Sequence, residues 1–246
     1  MKSYYEFHEL AYQNIEKNNF VGWGNKKSIE DLSDQKTLNF LRESVATYFK
    51  STHAKTALDL GCGTGSTAFE LSKLGFSVVG VDISETAIKM ANRLSAQQNM
   101  NIDFKVHDIL RLESLNQNFD FVYDSHCLHC IVFEDDRFKV LSGAKKILNN
   151  DGIFILDTMV KTNGIDPAND IKNLRYDADG ILWHKVEKFD SSGVINVDGV
   201  FWCPQRRFYS EDKILSEVKK AGLEIVSKFL DRQGDGLPNM LRLILK

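Results

Sequence analysis

The sequence predicts an α/β protein built on a doubly wound, mostly parallel sheet, and three observations predict it. Short β-rich runs alternate with helical apolar spacing through the middle of the chain, and the first of those runs ends in closely spaced glycines. The prolines, Pro167, Pro204 and Pro238, all lie beyond that middle section. At 246 residues the chain is long enough for one such sheet with additions, so a single domain is expected over 1–246.

The elements follow in chain order. Thr56–Leu60 is an apolar run ending in glycines, and Ala68, Leu71 and Leu74 then recur near helical spacing up to Gly75, a C-terminal cap. Phe76–Val81 is the next β run; behind the N-cap candidate Ser84, the residues Ala87, Met90, Ala91 and Leu94 form an apolar stripe. Further strands fit Ile102–Val106, Phe119–Tyr123 and Gly152–Met159, with Val140, Leu141, Ala144, Ile147 and Leu148 marking a helix between the last two. Ser210 caps a helix that carries Glu211 and Asp212 in its first turn. The last β runs, Leu223–Leu230 and Met240–Leu245, flank the turn-forming segment 231–238 and read as an antiparallel hairpin at the sheet edge. The core thus spans 55–160 and 208–246. Residues 1–50 and an insertion over 161–207 lie outside it and hold Trp23, Trp183 and Trp202. Within the insertion, Ile181–Phe189 and Val194–Trp202 flank Asp190-Ser191-Ser192-Gly193, a tight-turn hairpin signature whose aromatics are placed to cover a cleft.

Composition narrows the function. Hydrophobic residues make up 43% and charged residues 26%, and no apolar run approaches the roughly 18 residues of a membrane span. No membrane association is expected. The start of the chain carries no apolar signal region, so a cytoplasmic location is expected, and four unevenly spaced cysteines make no disulfide framework there. A net charge of −3 gives no electrostatic case for nucleic acid, and pairs such as Lys26-Lys27, Lys145-Lys146 and Arg206-Arg207 read as solvated surface.

Gly61, Gly63 and Gly65 strip Cβ atoms from the point where a strand turns into a helix, so the backbone can approach a ligand and aim N–H groups at a carboxylate or phosphate. A dinucleotide fingerprint fits poorly: counted from Gly61 its third glycine falls on Ser66, and counted from Gly63 on Ala68. Asp59, just before the loop, would repel a pyrophosphate but suits a ligand carrying an ammonium as well as a carboxylate. Asp82 ends the second strand, where a carboxylate accepts hydrogen bonds from ribose hydroxyls. Asp108 closes the third, where it meets an adenine amino group with Ile83 and Ile109 as apolar plates against the ring. Each acid taken singly reads equally well as a helix cap or surface group, but their placement at three successive strand ends does not.

The stretch Ala57-Leu58-Asp59-Leu60-Gly61-Cys62-Gly63-Thr64-Gly65 resembles motif I of class I S-adenosylmethionine-dependent methyltransferases. Val79–Ser84, Phe119–Asp124, Leu148–Phe154, Phe208–Ser210 and Ala221–Leu223 are similar to later segments of that family. The resemblance implies a seven-stranded sheet with the last strand antiparallel, and S-adenosyl-L-methionine as cofactor, with S-adenosyl-L-homocysteine as product. It further implies that Asp59, Gly61, Cys62, Gly63 and Gly65 hold the methionine end, Asp82 and Ile83 the ribose, Asp108 and Ile109 the adenine, and Asp124 and Ser125 the amine side. Tyr4, Tyr5, Tyr12 and Trp23 resemble in placement the N-terminal lid of small-molecule members, which adds Trp23 to the cofactor contacts; ordinary helix packing accounts for them equally.

Asp124-Ser125-His126-Cys127-Leu128-His129-Cys130 is the most chemically loaded stretch. A metal reading fails on crowding, because structural zinc draws its ligand pairs from separated segments; no metal is expected. A redox Cys-x-x-Cys lacks its helix start. Leu128-His129 matches a pair found in many small-molecule methyltransferases, and Asp124 to Arg137 looks most like the thiopurine and tellurite-resistance subgroup. A general base is needed only for an acceptor that arrives protonated; His129 is the first candidate and His126 the second, with a loop-holding histidine as the competing reading. Trp183, His184, Phe201, Trp202 and Arg206 are placed to shape the acceptor pocket, and Arg206 or Arg207 would suit an acidic acceptor, a surface role competing. The expected function is methyl transfer to an N, O or S atom of a small molecule. The alternatives are an RNA or protein methyltransferase, a non-catalytic S-adenosylmethionine-binding module and, more distantly, a nicotinamide-dependent oxidoreductase. The acidic balance and the absence of an Asn/Asp-Pro-Pro-Tyr type motif after the fourth strand count against macromolecular acceptors.

Overall fold

The structure is a computed structural model that describes residues 2–32, 34–161, 173–187, 191–232 and 238–246. Pro167, Phe189, Asp190 and most of the 231–238 turn lie outside the described residues. The core sheet contains β1 (Thr56–Leu60), β2 (Ser77–Asp82), β3 (Asp103–Val106), β4 (Phe119–Ser125) and β5 (Leu148–Val160). Four shorter strands follow in the insertion: β6 (Leu174–Tyr176), β7 (Ile181–Val186), β8 (Ile195–Val197) and β9 (Val200–Arg207). The chain then returns to the core as β10 (Ile225–Asp231) and β11 (Asn239–Leu245).

The seven core strands run in the order β10-β11-β5-β4-β1-β2-β3, parallel from β5 to β3, with β11 antiparallel to both β5 and β10. The last strand is antiparallel, as expected, yet of the terminal pair only β10 lies at an edge, the opposite edge being β3. Met240 to Leu245 is apolar at every position but Arg242 and is buried along its length, so β11 inserts beside β5; β10 alternates and takes the solvent side.

Six helices cover the sheet: α1 (Phe7–Lys17), α2 (Gln35–Tyr48), α3 (Ser66–Lys73), α4 (Glu85–Gln97), α5 (Glu134–Ile147) and α6 (Glu211–Lys220). One face carries Leu58, Leu60, Val122 and Leu156 against α5 and α6; the other carries Ala57, Phe121 and Ile155 against α2, α3 and α4. Both faces are dry, which is why the parallel strands read as continuous apolar runs. Ser84 and Ser210 cap α4 and α6 by accepting from the Ala87 and Lys213 amides at 3.0 and 3.3 Å. Helix α5 starts well before its apolar stripe. Glu134, Asp135 and Asp136 favour a helix N-terminus, and the next residue inward, Arg137, is wholly buried, so charge hid the start.

The insertion forms a second, antiparallel sheet in the order β8-β9-β7-β6. Strands β7 and β9 do pair, but the expected run Val194–Trp202 is interrupted: Asp198 and Gly199 adopt positive φ (52° and 79°) and fold β8 back along β9. A tight turn at 198–199 thus joins β8 to β9, and residues 188–190, where the expected hairpin turn begins, lie outside the described residues. This sheet joins the core through Tyr4, Val132, Ile181, Trp183 and Cys203. Among the described residues no helix is long and apolar enough to cross a membrane.

Candidate active site

A cavity of about 380 Å³ opens at the carboxyl ends of β1, β2 and β4, where the strand order reverses, and α1, the segment around Trp23 and the end of β9 roof it. Of the residues expected to hold a cofactor, Asp59, Gly61, Cys62, Gly63, Asp82, Ile83, Asp108, Ile109, Ser125 and Trp23 line this wall. Gly65 and Asp124 stand behind it. Gly65 starts α3 at φ +98°, and a Cβ there would lie 2.9 Å from both Phe69 and Phe104. Asp124 is fully buried, its Oδ1 accepting from the Cys127 and Leu128 amides at 2.9 and 3.2 Å, which holds the turn after β4.

The glycine loop differs from expectation in one respect. Three of its amides are satisfied internally: Cys62 donates to Val81 O at 2.8 Å, Gly65 to Cys62 O at 2.9 Å, and Gly63 to Asp82 Oδ2 at 2.9 Å. A Cβ on Gly61 would collide with Cys127 Sγ, and one on Gly63 with Tyr12 Oη. Bare backbone is thus required by close packing as well as by any ligand.

The acids are arranged for a cation. Asp59 Oδ2 accepts from the Ala68 amide at 3.0 Å, tying β1 to α3, and Asp82 Oδ1 accepts from Ser84 N at 2.9 Å. Burial, and then the charges of Asp124 and Asp82, push Asp59 well above the usual carboxylate range. Burial raises Asp82 to about 6 and Asp124 to about 7 against the amides that bind them. Asp124 Oδ2 has no partner among the described residues. Three buried carboxylates with no lysine or arginine paired to them among the described residues, and only the His126 ring to offset Asp124, favour a positively charged guest and oppose a pyrophosphate.

The lid region is bonded to this end. Tyr5 Oη donates to Asp108 Oδ2 at 3.0 Å, and Trp23 Nε1 to Tyr12 Oη at 2.7 Å. Glu9 accepts from Ser84 Oγ at 2.6 Å and from Thr86 N at 3.1 Å, clamping α1 to the start of α4.

The far side of the cavity is formed by His8, His126, His129, Cys127, Cys130, Met159 and Arg206. His126 has φ +68°, uncommon for a side-chain-bearing residue, and its amide donates to Asp157 O at 2.9 Å. Its Nε2 lies 3.7 Å from Asp157 Oδ2, and Arg242 Nε donates to that same oxygen at 2.9 Å. Burial lowers the His126 pKa, but the nearby charge of Asp157 outweighs it and the net shift is upward, although at 3.7 Å the two side chains are an ion-pair contact and not a hydrogen bond. His129 is different: only 2% exposed, with Met159 N donating to its Nδ1 at 3.5 Å, and driven well below the usual imidazole range by burial and then Arg206. His126 is thus the more basic and the more exposed of the two rings.

His8, Met159, Asp157 and Arg242 were not anticipated. Asp157 had a signal, since it follows the buried part of β5 much as Asp59 and Asp124 follow theirs; His8 had none, because its place depends on how α1 crosses the sheet. Among the described residues no three His, Cys, Asp or Glu side chains are grouped to hold a metal ion.

A sequence profile of the methyltransferase domain family matches residues 51–222. The chain belongs to that family. It is a methyltransferase, an enzyme of the transferase class, with S-adenosyl-L-methionine as its cofactor. An uncharacterized methyltransferase of Schizosaccharomyces pombe is 33% identical over 109 residues, 44% of this chain and 74% of that protein. In fold, the methyltransferase is similar to a solved S-adenosylmethionine-dependent methyltransferase of Clostridium acetobutylicum (TM-score 0.67, 18% identity, 98% of both chains). It also resembles the 1,6-didemethyltoxoflavin-N1-methyltransferase of Burkholderia thailandensis, solved with its named acceptor and S-adenosylhomocysteine (TM-score 0.63, 15% identity, 100% of this chain and 91% of that one).

The residues present fit this cofactor. The unpartnered Asp124 Oδ2 and the crowded carboxylates match its ammonium and sulfonium charges in sign, and Ile83 and Ile109 present apolar surface to the same cavity as Asp108, as an adenine base would require.

Proposed function

We propose that this methyltransferase acts as one domain on a small-molecule acceptor, in the cytoplasm, methylating an N, O or S atom with His126 as proton acceptor. The observation that carries the reading is the roof over the cavity. Tyr5 and Glu9 are bonded to Asp108 and Ser84, Trp23 to Tyr12, and a partly roofed space of about 380 Å³ suits a cofactor with a small second molecule better than a polymer. Placement near the thiopurine and tellurite-resistance subgroup is supported by the Asp124–Arg137 stretch, in which buried Arg137 pins the turn by donating to Leu128 O and Ile131 O at 2.8 and 3.1 Å.

When bound, S-adenosylmethionine supplies a methyl group on a sulfonium that is itself a good leaving group. The protein then has to position a nucleophile and exclude water, tasks that fall to the lid and to the turn after β4. Asp82 binds the ribose, Asp108 with Ile83 and Ile109 the adenine, and Asp59 and Asp124 the positively charged amino-acid end. The Asp157 carboxylate 3.7 Å from Nε2 favours a proton on that nitrogen, which would leave His126 Nδ1 to take the proton that a neutral N–H, O–H or S–H acceptor gives up on methylation. Arg242 holds Asp157 in place for that work.

Incubating the enzyme with methyl-labelled S-adenosylmethionine and a metabolite pool tests the proposal. Labelled small products are expected; label confined to RNA or protein, or cofactor binding without turnover, would refute it.

A further inference from the structure

Four arginines lie around the acceptor side, and three are committed. Arg137 Nη2 is paired with Glu217 at 2.8 Å, and Arg242 Nε with Asp157 at 2.9 Å. Arg207 donates to Val132 O at 2.8 Å and lies over the Tyr209 ring at 4.2 Å. Arg206 is the exception. It lines the cavity near Cys130 and has no carboxylate partner among the described residues.

The register of β9 explains how it arrives there. Pairing with β7 passes from Pro204↔Trp183 to Arg206↔Leu182, so Gln205 is an extra residue. Without that bulge Arg206 would share a face with Pro204; with it, Arg206 shares a face with Cys203, opposite His184, and reaches the cavity wall. Bulges of this kind re-aim side chains beside active sites. The same bulge gives Arg207 to the structural face, where its bonds are made.

We propose that Arg206 anchors a carboxylate of the acceptor, so that the acceptor is a small acid. The inference rests on the small-molecule reading above and adds its chemical class. A half-buried guanidinium without a counter-charge is costly unless a ligand supplies one, and its planar fork matches a carboxylate in two bonds. Its surroundings do not compete: burial and the Arg206 charge lower His8 to about 4 and keep His129 low, so both rings are neutral beside it.

The test uses the full chain saturated with S-adenosylhomocysteine and titrated with benzoate or benzamide, which differ in charge and little in shape. Wild type is expected to bind benzoate at least ~10-fold tighter than benzamide, Arg206→Lys to keep part of that preference, and Arg206→Gln to lose it. Affinity for S-adenosylhomocysteine should be unchanged in both variants. Absence of benzoate binding, a preference that survives in Arg206→Gln, or a matching loss of S-adenosylhomocysteine affinity would each overturn the proposal. Label transfer to an extract split by anion exchange separates it from its premise. Labelled products from the anionic metabolites support it, and products from neutral or cationic metabolites alone overturn it while leaving a small-molecule enzyme. Label in macromolecules alone removes the premise itself.

Discussion

At the cofactor end, Asp59, Asp82 and Asp108 each sit at or just beyond a strand end and spend oxygens on amides close by in the chain: Ala68, Ser84 and Leu110. At the acceptor end, His8 comes from α1, His126 follows β4, its partner Asp157 lies on β5, Arg242 on β11 and Arg206 on β9. One end is made by local chain geometry, the other by the meeting of five distant segments. The first needs only the parallel sheet to form. The second needs the antiparallel strand β11, the inserted sheet and the lid to dock correctly, so its groups are the ones through which related folds can change acceptor while keeping a cofactor.

The largest expected effect lies at the acceptor end. If His126 takes the proton, His126→Ala should lower kcat by about 10²–10⁴-fold with an unchanged cofactor affinity, whereas His129→Ala should act mainly on stability. Rate measurements beside a thermal melt separate the two; a greater kcat loss in His129→Ala at unchanged Tm would reverse the assignment. The sign of the pH dependence follows. A base works when neutral, so kcat/KM should climb as pH rises through the upward-shifted His126 pKa. Asp157→Asn removes the group that raises it and should move that climb to lower pH.

The next effect breaks the cofactor end. Asp82→Ala removes at least two charge-assisted hydrogen bonds to a ribose, each worth about 1.5 kcal/mol or more, which amounts to a loss of ~100-fold or greater in affinity for S-adenosylhomocysteine by calorimetry. Circular dichroism should report a folded protein.

The same contrast governs what the sequence made legible. The alternation, the serine caps at 84 and 210 and the three strand-end acids are local patterns, and they were readable together with the antiparallel terminal strand. The turn between β8 and β9 was missed because two positive-φ residues, Asp198 and Gly199, break a run whose composition reads as one strand. The start of α5 was missed because a buried arginine looks polar in sequence yet faces Glu217 in the fold. The ranking of the two histidines depended on Asp157, 31 residues downstream of one and beside it only through β-sheet pairing at Ser125↔Asp157.

A smaller effect sharpens the electrostatic side of the comparison. Asp82 and Asp124 have folded pKa values raised to about 6 and about 7, so the native state without ligand holds protons there that the unfolded chain would release. Stability of the free enzyme should therefore fall as pH rises from about 4 through about 7. A cationic cofactor favours the ionised carboxylates, so its affinity should rise over the same window and its binding should release protons. Calorimetry in two buffers of different ionisation enthalpy measures that release; proton uptake would mean that the guest does not meet these acids as a cation.

The smallest expected change joins the two ends. Tyr5 Oη is the bond from the N-terminal lid to Asp108, in a part-buried setting where one neutral-to-carboxylate hydrogen bond contributes roughly 0.5–1.5 kcal/mol net. Tyr5→Phe keeps the ring that packs edge-on against Tyr4 at 5.2 Å and removes only the hydroxyl. Affinity for S-adenosylhomocysteine should fall by about two- to tenfold while Tm changes little, since Tyr4, whose own hydroxyl accepts from Val132 N at 2.9 Å, continues to hold the segment on the inserted sheet. Because the lid roofs both halves of the cavity, the KM for the acceptor should rise with the cofactor constant. An acceptor KM that stays fixed would show that α1 serves the cofactor alone and that the acceptor side is closed by β9.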